Sequence, residues 1–422
     1  MSAVAAGKLD AAIDAANAEV VQRMVGADPY LIDIAPAGEV VPGLEDRMIL
    51  HSGPPIDWAH MCGAQRGSVL GIMLYERWAE NADEAIRLLA RGAIKLEPNH
   101  DHDCVGPMAG TISPSLPVYV VENRTYGNRA YCRLADWRQQ FGDYGEEALE
   151  ILQRWRDIWA PALGQGVRQT GGVALKPIIT KALQMGDELH NRPVAGSSLF
   201  AKAIAAPMVE AGVPPDRLIP TLYYGAFNEF LFLPLSMAAA KSAADPARNV
   251  EHSTVVTAMA RNGVEFGIRV SGLGDEWFTG PAGKATGLLL EGFTDADAGR
   301  DMGDSTITET VGLGAFTLAG ATAILGITGG KPEDAMRYSR DMYRITAGTS
   351  PDFLIPPLGF AGSPVGIDVR KVLETGIRPV LDSAIAHKDP GYPTLGAGLI
   401  RAPIECFQKA MDAFTTKYGH GR

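Results

Sequence analysis

The chain has 422 residues, enough for two or three domains. With 46% apolar and 21% charged residues it has enough core-forming surface to offset the ordering entropy, which excludes a disordered chain. A net charge of −11 excludes a phosphate-backbone partner, which needs a basic face, yet leaves room for a local cluster of arginines around a small anion.

From the N-terminus, MSAVAAGKLDAAIDAANAEVVQRM reads as an amphipathic helix. Asp10, Asp14 and Glu19 interrupt its apolar run, so it is not a signal peptide. A strand follows at Tyr30–Ala35, then a Pro/Gly turn, then a strand at Arg47–His51. Glycine-rich turns at HSGPP and MCGAQRG are expected to link strand to helix, and the pattern over 69–92 predicts an amphipathic helix. IKLEPNHDHD reads as a short strand entering a polar loop, and Pro117–Asn123 as a strong strand of β-branched and aromatic residues. Residues 145–165 and 176–245 read as mostly helical, 250–292 as β-rich, and the remainder as helix with strand. The uncharged apolar segment Gly312–Gly329 predicts a tightly packed buried helix, short of the ~20 apolar residues that cross a bilayer.

Strands alternating with helices predict an α/β class, mixed α+β, with a parallel or mixed sheet. Composition shifts near 140 and 250 divide the chain into 1–140, 141–250 (mainly helical) and 251–422 (mixed α+β). Cys62, Cys104, Cys132 and Cys406 form no CxxC pair, which predicts a reducing cytosol and no disulfide framework. Cys62, at an expected helix start, reads either as a reactive thiolate or as a buried structural thiol.

Four polar clusters are candidates for chemistry. Asn99-His100-Asp101-His102-Asp103-Cys104 combines ligand types used by transition metals, but the same residues suit an acid/base or substrate-binding loop, or a plain polar turn. The GPMAG that follows allows backbone N–H groups close to an anion. In ALQMGDELHNR, a helix would put Asp187 and His190 on one face as an orienter and base, with Asn191 and Arg192 as partners for a carbonyl or carboxylate. Arg261 and Arg269 flank an Asn262-Gly263 turn on a β pattern, which is either a plain hairpin or an anion site. Asp304, Ser305 and the threonines after them read as an N-cap, with the geometry of an anion site as the alternative. No GxGxxG, GxxxxGK[ST] or GxSxG stands in a suitable context, so dinucleotide, P-loop and serine-hydrolase readings lose support. No cofactor and no metal is assigned.

Taken together, the blocks PAGEVVPGLEDRMILHSGPPIDWAHMCGAQRG, HDHDCVGPMAG, YVVENRTYGNRAYC, ALQMGDELHNR, STVVTAMARNGVEFGIRVSG, WFTGPAG, MGDSTITETVGLGAF and TGIRPVLDSAIAHKDPGYPTLGAG resemble the AllG/YlbE/YahG-type bacterial family. They run from about residue 20 to about residue 408. The resemblance implies a Rossmann-like N-terminal region over 1–140. It also implies a role in an oxamate carbamoyltransferase of allantoin nitrogen catabolism, alongside an FdrA-like protein and a third small subunit. That reaction converts oxalurate and phosphate into oxamate and carbamoyl phosphate. Such a transfer needs cations and N–H dipoles around phosphate and the developing oxyanion, which Arg66, Arg192, Arg261 and Arg269 would supply. It also needs proton transfer, for which His102 with Asp103, or His190 with Asp187, would serve. His100, Asn191, Asn262, Asp304 and Ser305 complete the expected substrate site. Competing readings are a stand-alone hydrolase of a ureido, amide or cyclic-imide compound, and a non-catalytic partner of the FdrA-like protein. A symmetric homo-oligomer is expected because most soluble enzymes form one.

Overall fold

In a computed structural model, which describes residues 3–419, the first helix runs from Ala3 to Val25 and leads into the strand Pro29–Pro36. That strand joins a five-stranded sheet in the order Cys104–Val105, Arg129–Arg133, Pro117–Asn123, Pro29–Pro36, Val173–Ala174. The alternation along Pro117–Asn123 explains its unbroken apolar run. Val118 and Val120 pack on one face with Met48, Leu50 and Ile112, while Tyr119 and Val121 pack on the other in the largest core. The helix Leu233–Ala244, buried at every position, covers this second face; its alanines let it lie close to the strands.

The helix and sheet content is mixed, but the N-terminal region is not Rossmann-like in pairing. Pro117–Asn123 pairs antiparallel with both Pro29–Pro36 and Arg129–Arg133. The five residues between Asn123 and Arg129 make a hairpin and are far too short for the crossover that a parallel pair demands. Parallel pairing is confined, among the described residues, to Met48–His51 on Lys95–Pro98 and to Cys104–Val105 on Arg129–Arg133.

A second, antiparallel sheet contains Phe278–Pro281, Glu265–Val270, Val256–Asn262 and Met302–Gly303, with the C-terminal helix Ile404–Tyr418 packed against it. Thr286–Leu289, Gly396–Arg401 and Val380–Ile385 form a third sheet, and Thr346–Ile355 pairs with Ala361–Ile367 as a ribbon. The largest core draws on residues from Ala16 to Val365, so the N-terminal helix, the first sheet and the ribbon share it.

Two helix expectations change. The stretch 69–92 is two helices, Gly63–Tyr75 and Ala82–Ala90, broken where Arg77 takes a left-handed conformation and restarted by Asn81, whose side chain accepts from Glu84 N. The segment Gly312–Gly329 is buried along its first half but is no continuous helix. It is a chain of short turns, Gly314–Gly320, Thr322–Ile324 and Leu325–Thr328, because Gly312 and Gly314 sit at φ +86° and +59°. Among the described residues no helix is long and apolar enough to cross a membrane.

Asn17 ties the first helix to the rest of the molecule. Its amide donates to Thr254 Oγ1 (3.0 Å) and Asp368 Oδ2 (3.1 Å), and its carbonyl accepts from Ser253 Oγ and Thr254 N, both at 2.9 Å. Replacing it with alanine strands these buried groups. Asn17→Ala is expected to lower the unfolding free energy by about 2–3 kcal/mol in denaturant titrations. A loss under about 0.5 kcal/mol, the range of ordinary surface changes, would show the network to be dispensable.

Candidate functional site

His190 stands in a turn, not a helix. Gly186 (φ +94°) and Leu189 (φ +70°) reverse the chain, and the carboxylate of Glu188 accepts the backbone N–H groups of His190 (2.9 Å) and Arg192. Asp187 does not orient His190. It accepts from Gly196 N (2.8 Å) at the start of the helix Val194–Glu210 and from Arg192 Nη1 (2.9 Å), which also donates to Gly186 O. The partners of His190 come from far along the chain. Its Nδ1 lies 2.9 Å from Glu309 Oε1 and 2.7 Å from Asp382 Oδ1.

All three side chains are buried, and the electrostatics follow from that. Burial opposes charge on His190, but Glu309 and Asp382 outweigh it and hold the imidazole well above its usual range. For Glu309 burial is outweighed by His190, which keeps it ionised. At Asp382 burial wins over His190, and at Glu188 burial and the nearby Asp382 push the carboxyl far up. Glu309 is further held by Thr308 Oγ1 (2.9 Å) and Ala315 N (3.1 Å).

His190 lines a small cavity shared with Asn191, Ser305, Gln140, Asp136, Met108 and Ala384. No protein group among the described residues hydrogen-bonds its Nε2. Asn191 Nδ2 and Gln140 Oε1 are also buried without partners. Trp137, packed edge-on against Phe230 at 4.2 Å, and Phe141 add an aromatic wall. The cavity therefore offers an unfilled amide donor, an unfilled amide acceptor and an imidazole whose far nitrogen is anchored by carboxylates.

Asp304 organises the wall behind Ser305. Its carboxylate accepts from Gly53 N (2.8 Å), Asn99 Nδ2 (2.8 Å) and Gly106 N (3.0 Å), and burial pushes it up to about 6 despite these donors. No side chain caps the short helix Ile307–Thr310, so the N-cap reading of this stretch gives way to a tertiary anchor. Arg261, fully buried, forms a two-pronged pair with Asp301 (2.8 and 3.0 Å) and donates to Gly303 O, Thr306 Oγ1 and Ser383 Oγ.

Of the residues chosen from sequence, His190, Asn191 and Ser305 thus meet at one cavity, with Asp304 behind them. The others lie elsewhere. His102 is held between Pro42 O (2.8 Å) and Glu97 Oε2 (2.6 Å), and Asp103 ends the turn Asn99–His102 with φ +55°. His100 packs edge-on against Trp277, 3.9 Å from Asp304, and burial with Lys241 and Arg269 nearby holds it neutral. Arg269 pairs with Asp101 and stacks over Trp277. Asn262 takes the N–H groups of Val264 and Glu265 in its hairpin, and Arg66 donates to Ala59 O. Cys62 precedes a helix, but burial pushes its thiol up to about 11, against a reactive thiolate. Glu188 and Glu309 stood in two of the polar clusters without a role, and Asp382 and Gln140 were not singled out. The available signal was a lone carboxylate inside an apolar run, in TITETVGLGAF and RPVLDSAIA.

The fold and site define a mixed α/β protein with a buried carboxylate–histidine cluster opening on a small, amide-lined cavity. Residues 94–305 match the family described as oxamate carbamoyltransferase subunit AllG. The chain is 43% identical over 410 residues to the uncharacterized protein YahG of Escherichia coli (strain K12), spanning 96% of this chain and 87% of that one. It is 38% identical over 412 residues to the oxamate carbamoyltransferase subunit AllG of the same strain, spanning 96% and 98%. A crystal structure of a conserved protein of unknown function from Enterococcus faecalis V583 superposes with a TM-score of 0.95 at 43% identity, covering 97% and 99% of the two chains. The chain belongs to the AllG/YahG family.

The raised Asp304 gives a testable pH dependence. The folded state binds its proton near pH 6 and the unfolded chain near 3.8, so between these values the folded state holds more protons and acidification favours it. The unfolding free energy of the wild type minus that of Asp304→Asn is expected to rise by about 1–3 kcal/mol from pH 7 to pH 4.5. A difference that stays flat would place Asp304 at an ordinary carboxylate value.

Proposed function

We propose that this chain is a subunit of a cytoplasmic carbamoyltransferase of the oxamate type, and that the cavity of His190 holds its carbamoyl-bearing substrate. In the reaction a phosphate oxygen bonds to the carbamoyl carbon of oxalurate. The bond from that carbon to the oxamate nitrogen breaks, and the nitrogen gains a proton. The observation that carries the reading is the unpaired amide donor of Asn191 and acceptor of Gln140 beside His190, which match the carbonyl and N–H groups of a ureido compound. His190 lines the same space, and its Nε2, which no described protein group hydrogen-bonds, would donate to the carbonyl oxygen or the departing nitrogen, its ring held by Glu309. The name of the relative AllG, a subunit, supports action within a complex. An FdrA-like protein and a third small subunit are the partners that complete it in this proposal.

The test is oxalurate turnover with and without phosphate, by the chain alone and then mixed with those partners. Carbamoyl phosphate is expected only with phosphate and partners. His190→Gln is expected to cut kcat/KM by about 100-fold or more while the complex still co-elutes. Asn191→Ala is expected to raise KM by about tenfold, the value of one lost hydrogen bond. Phosphate-independent turnover by the chain alone would replace the transferase with a hydrolase. Full turnover in both variants would remove this cavity from the chemistry.

A further inference from the structure

We propose that Nδ1 of His190 and the carboxylates of Glu309 and Asp382 bind one divalent first-row transition-metal ion at the floor of the cavity. The three residues each offer a ligand atom within 4.8 Å of the others, and all three are buried. Glu309 and His190 satisfy one another, but Asp382 does not fit a purely hydrogen-bonded cluster. Its Oδ1 lies 2.7 Å from Nδ1, yet the ring N–H is aligned on Glu309, and among the described residues only the Glu188 carboxyl otherwise reaches the buried Asp382 oxygens. An unpaired buried carboxylate is costly, and a cation is what removes that cost.

Glu188, Glu309 and Asp382 are three buried acids around one imidazole, and their ion-pair contacts among the described residues include no lysine or arginine. Glu188 accepts the backbone N–H groups of His190 and Arg192 and lies against the Asp382 carboxyl. Gly314 makes room for the Glu309 carboxylate, since a Cβ there would lie 2.3 Å from Oε1. Asp382 and Ala384 share one face of the strand Val380–Ile385, and Ala384 and His190 both line the cavity, so the open side of the site faces the substrate space. One imidazole with two carboxylates and open positions suits Mn2+ or Zn2+.

The site stands on this geometry. Its use, as the positive charge for an anionic substrate in a cavity without lysine or arginine in its lining, rests on the proposed function. The competing occupant is a proton shared between Glu188 and Asp382.

The full-length chain, dialysed against a chelator, would be titrated with MnCl2 and with ZnCl2 by calorimetry, with elemental analysis of the reloaded protein. Saturable binding of one ion per chain is expected. Affinity should fall by about 100-fold or more in Asp382→Asn and Glu309→Gln. It should hold in His60→Ala, which alters only an exposed His–Asp pair. No saturable ion in the wild type, or equal affinity in Asp382→Asn, would overturn the site in favour of the shared proton. If Asp382→Asn does not fold, the wild-type titration decides alone. Turnover of oxalurate by an ion-free complex would remove the ion from the chemistry and leave the transferase. A bound ion with no turnover in any mixture would do the reverse.

Discussion

The buried carboxylate of Asp304 is the constraint on which the neighbouring architecture depends. It joins three segments distant in sequence, at Gly53, at Asn99 to Gly106 and at its own loop. An ionised carboxylate out of water is tolerated only when its lone pairs are met, and here three N–H donors meet them. The approach is so close that side chains are excluded on both sides. A Cβ on Gly53 would stand 2.4 Å from the backbone of Arg261 and Asn262, and one on Gly106 would stand 2.5 Å from Gly110. Because Ser305 follows Asp304 directly, the same anchor fixes one wall of the cavity.

The second constraint is the separation of the groups that meet at His190. Glu309 is 119 residues away in sequence, and Asp382 sits on the strand Val380–Ile385 of the third sheet. No local spacing encodes such a meeting. The sequence clusters that looked richest, HDHDC and GDELHNR, are rich because most of their residues serve the fold. His102 is shared between Pro42 and Glu97, and Asp187 caps its own segment. What was legible was the residue whose neighbours also face the cavity, His190 with Asn191. Its chemistry was not legible, because the partner was sought at i−3 and lies across the molecule.

The fold divides in a similar way. Local patterns placed Pro117–Asn123 at its observed bounds and recognised the hairpin at Asn262-Gly263, since period-two alternation and turn chemistry are local properties. Pairing direction is not local in that sense. Strand–helix alternation suggested a parallel or mixed sheet with crossovers; the sheet is mixed, and the short 124–128 connection sets its antiparallel neighbour. The uncharged run after Gly312 looked like a helix because hydrophobicity was uniform, but its glycines adopt left-handed angles that a helix does not contain.

The arginines were expected to gather an anion, and the structure spends them on the fold. Arg261 is used up on Asp301 and three further acceptors, Arg133 on Asp136, Thr111 and Gln139, and Arg269 on Asp101. Arg261 has no donor left for a ligand, while Nε of Arg269 is buried and unpaired among the described residues. The cavity lining holds no lysine or arginine, and its neutral amides discriminate by penalty more than by attraction. A compound without a matching N–H or carbonyl would leave Asn191 or Gln140 buried and unpaired, which costs more than the missing bond contributes. Selection among related amides by such a cavity therefore depends on Asn191 and Gln140, while binding of charge has to come from the cluster beneath His190 or from a partner chain.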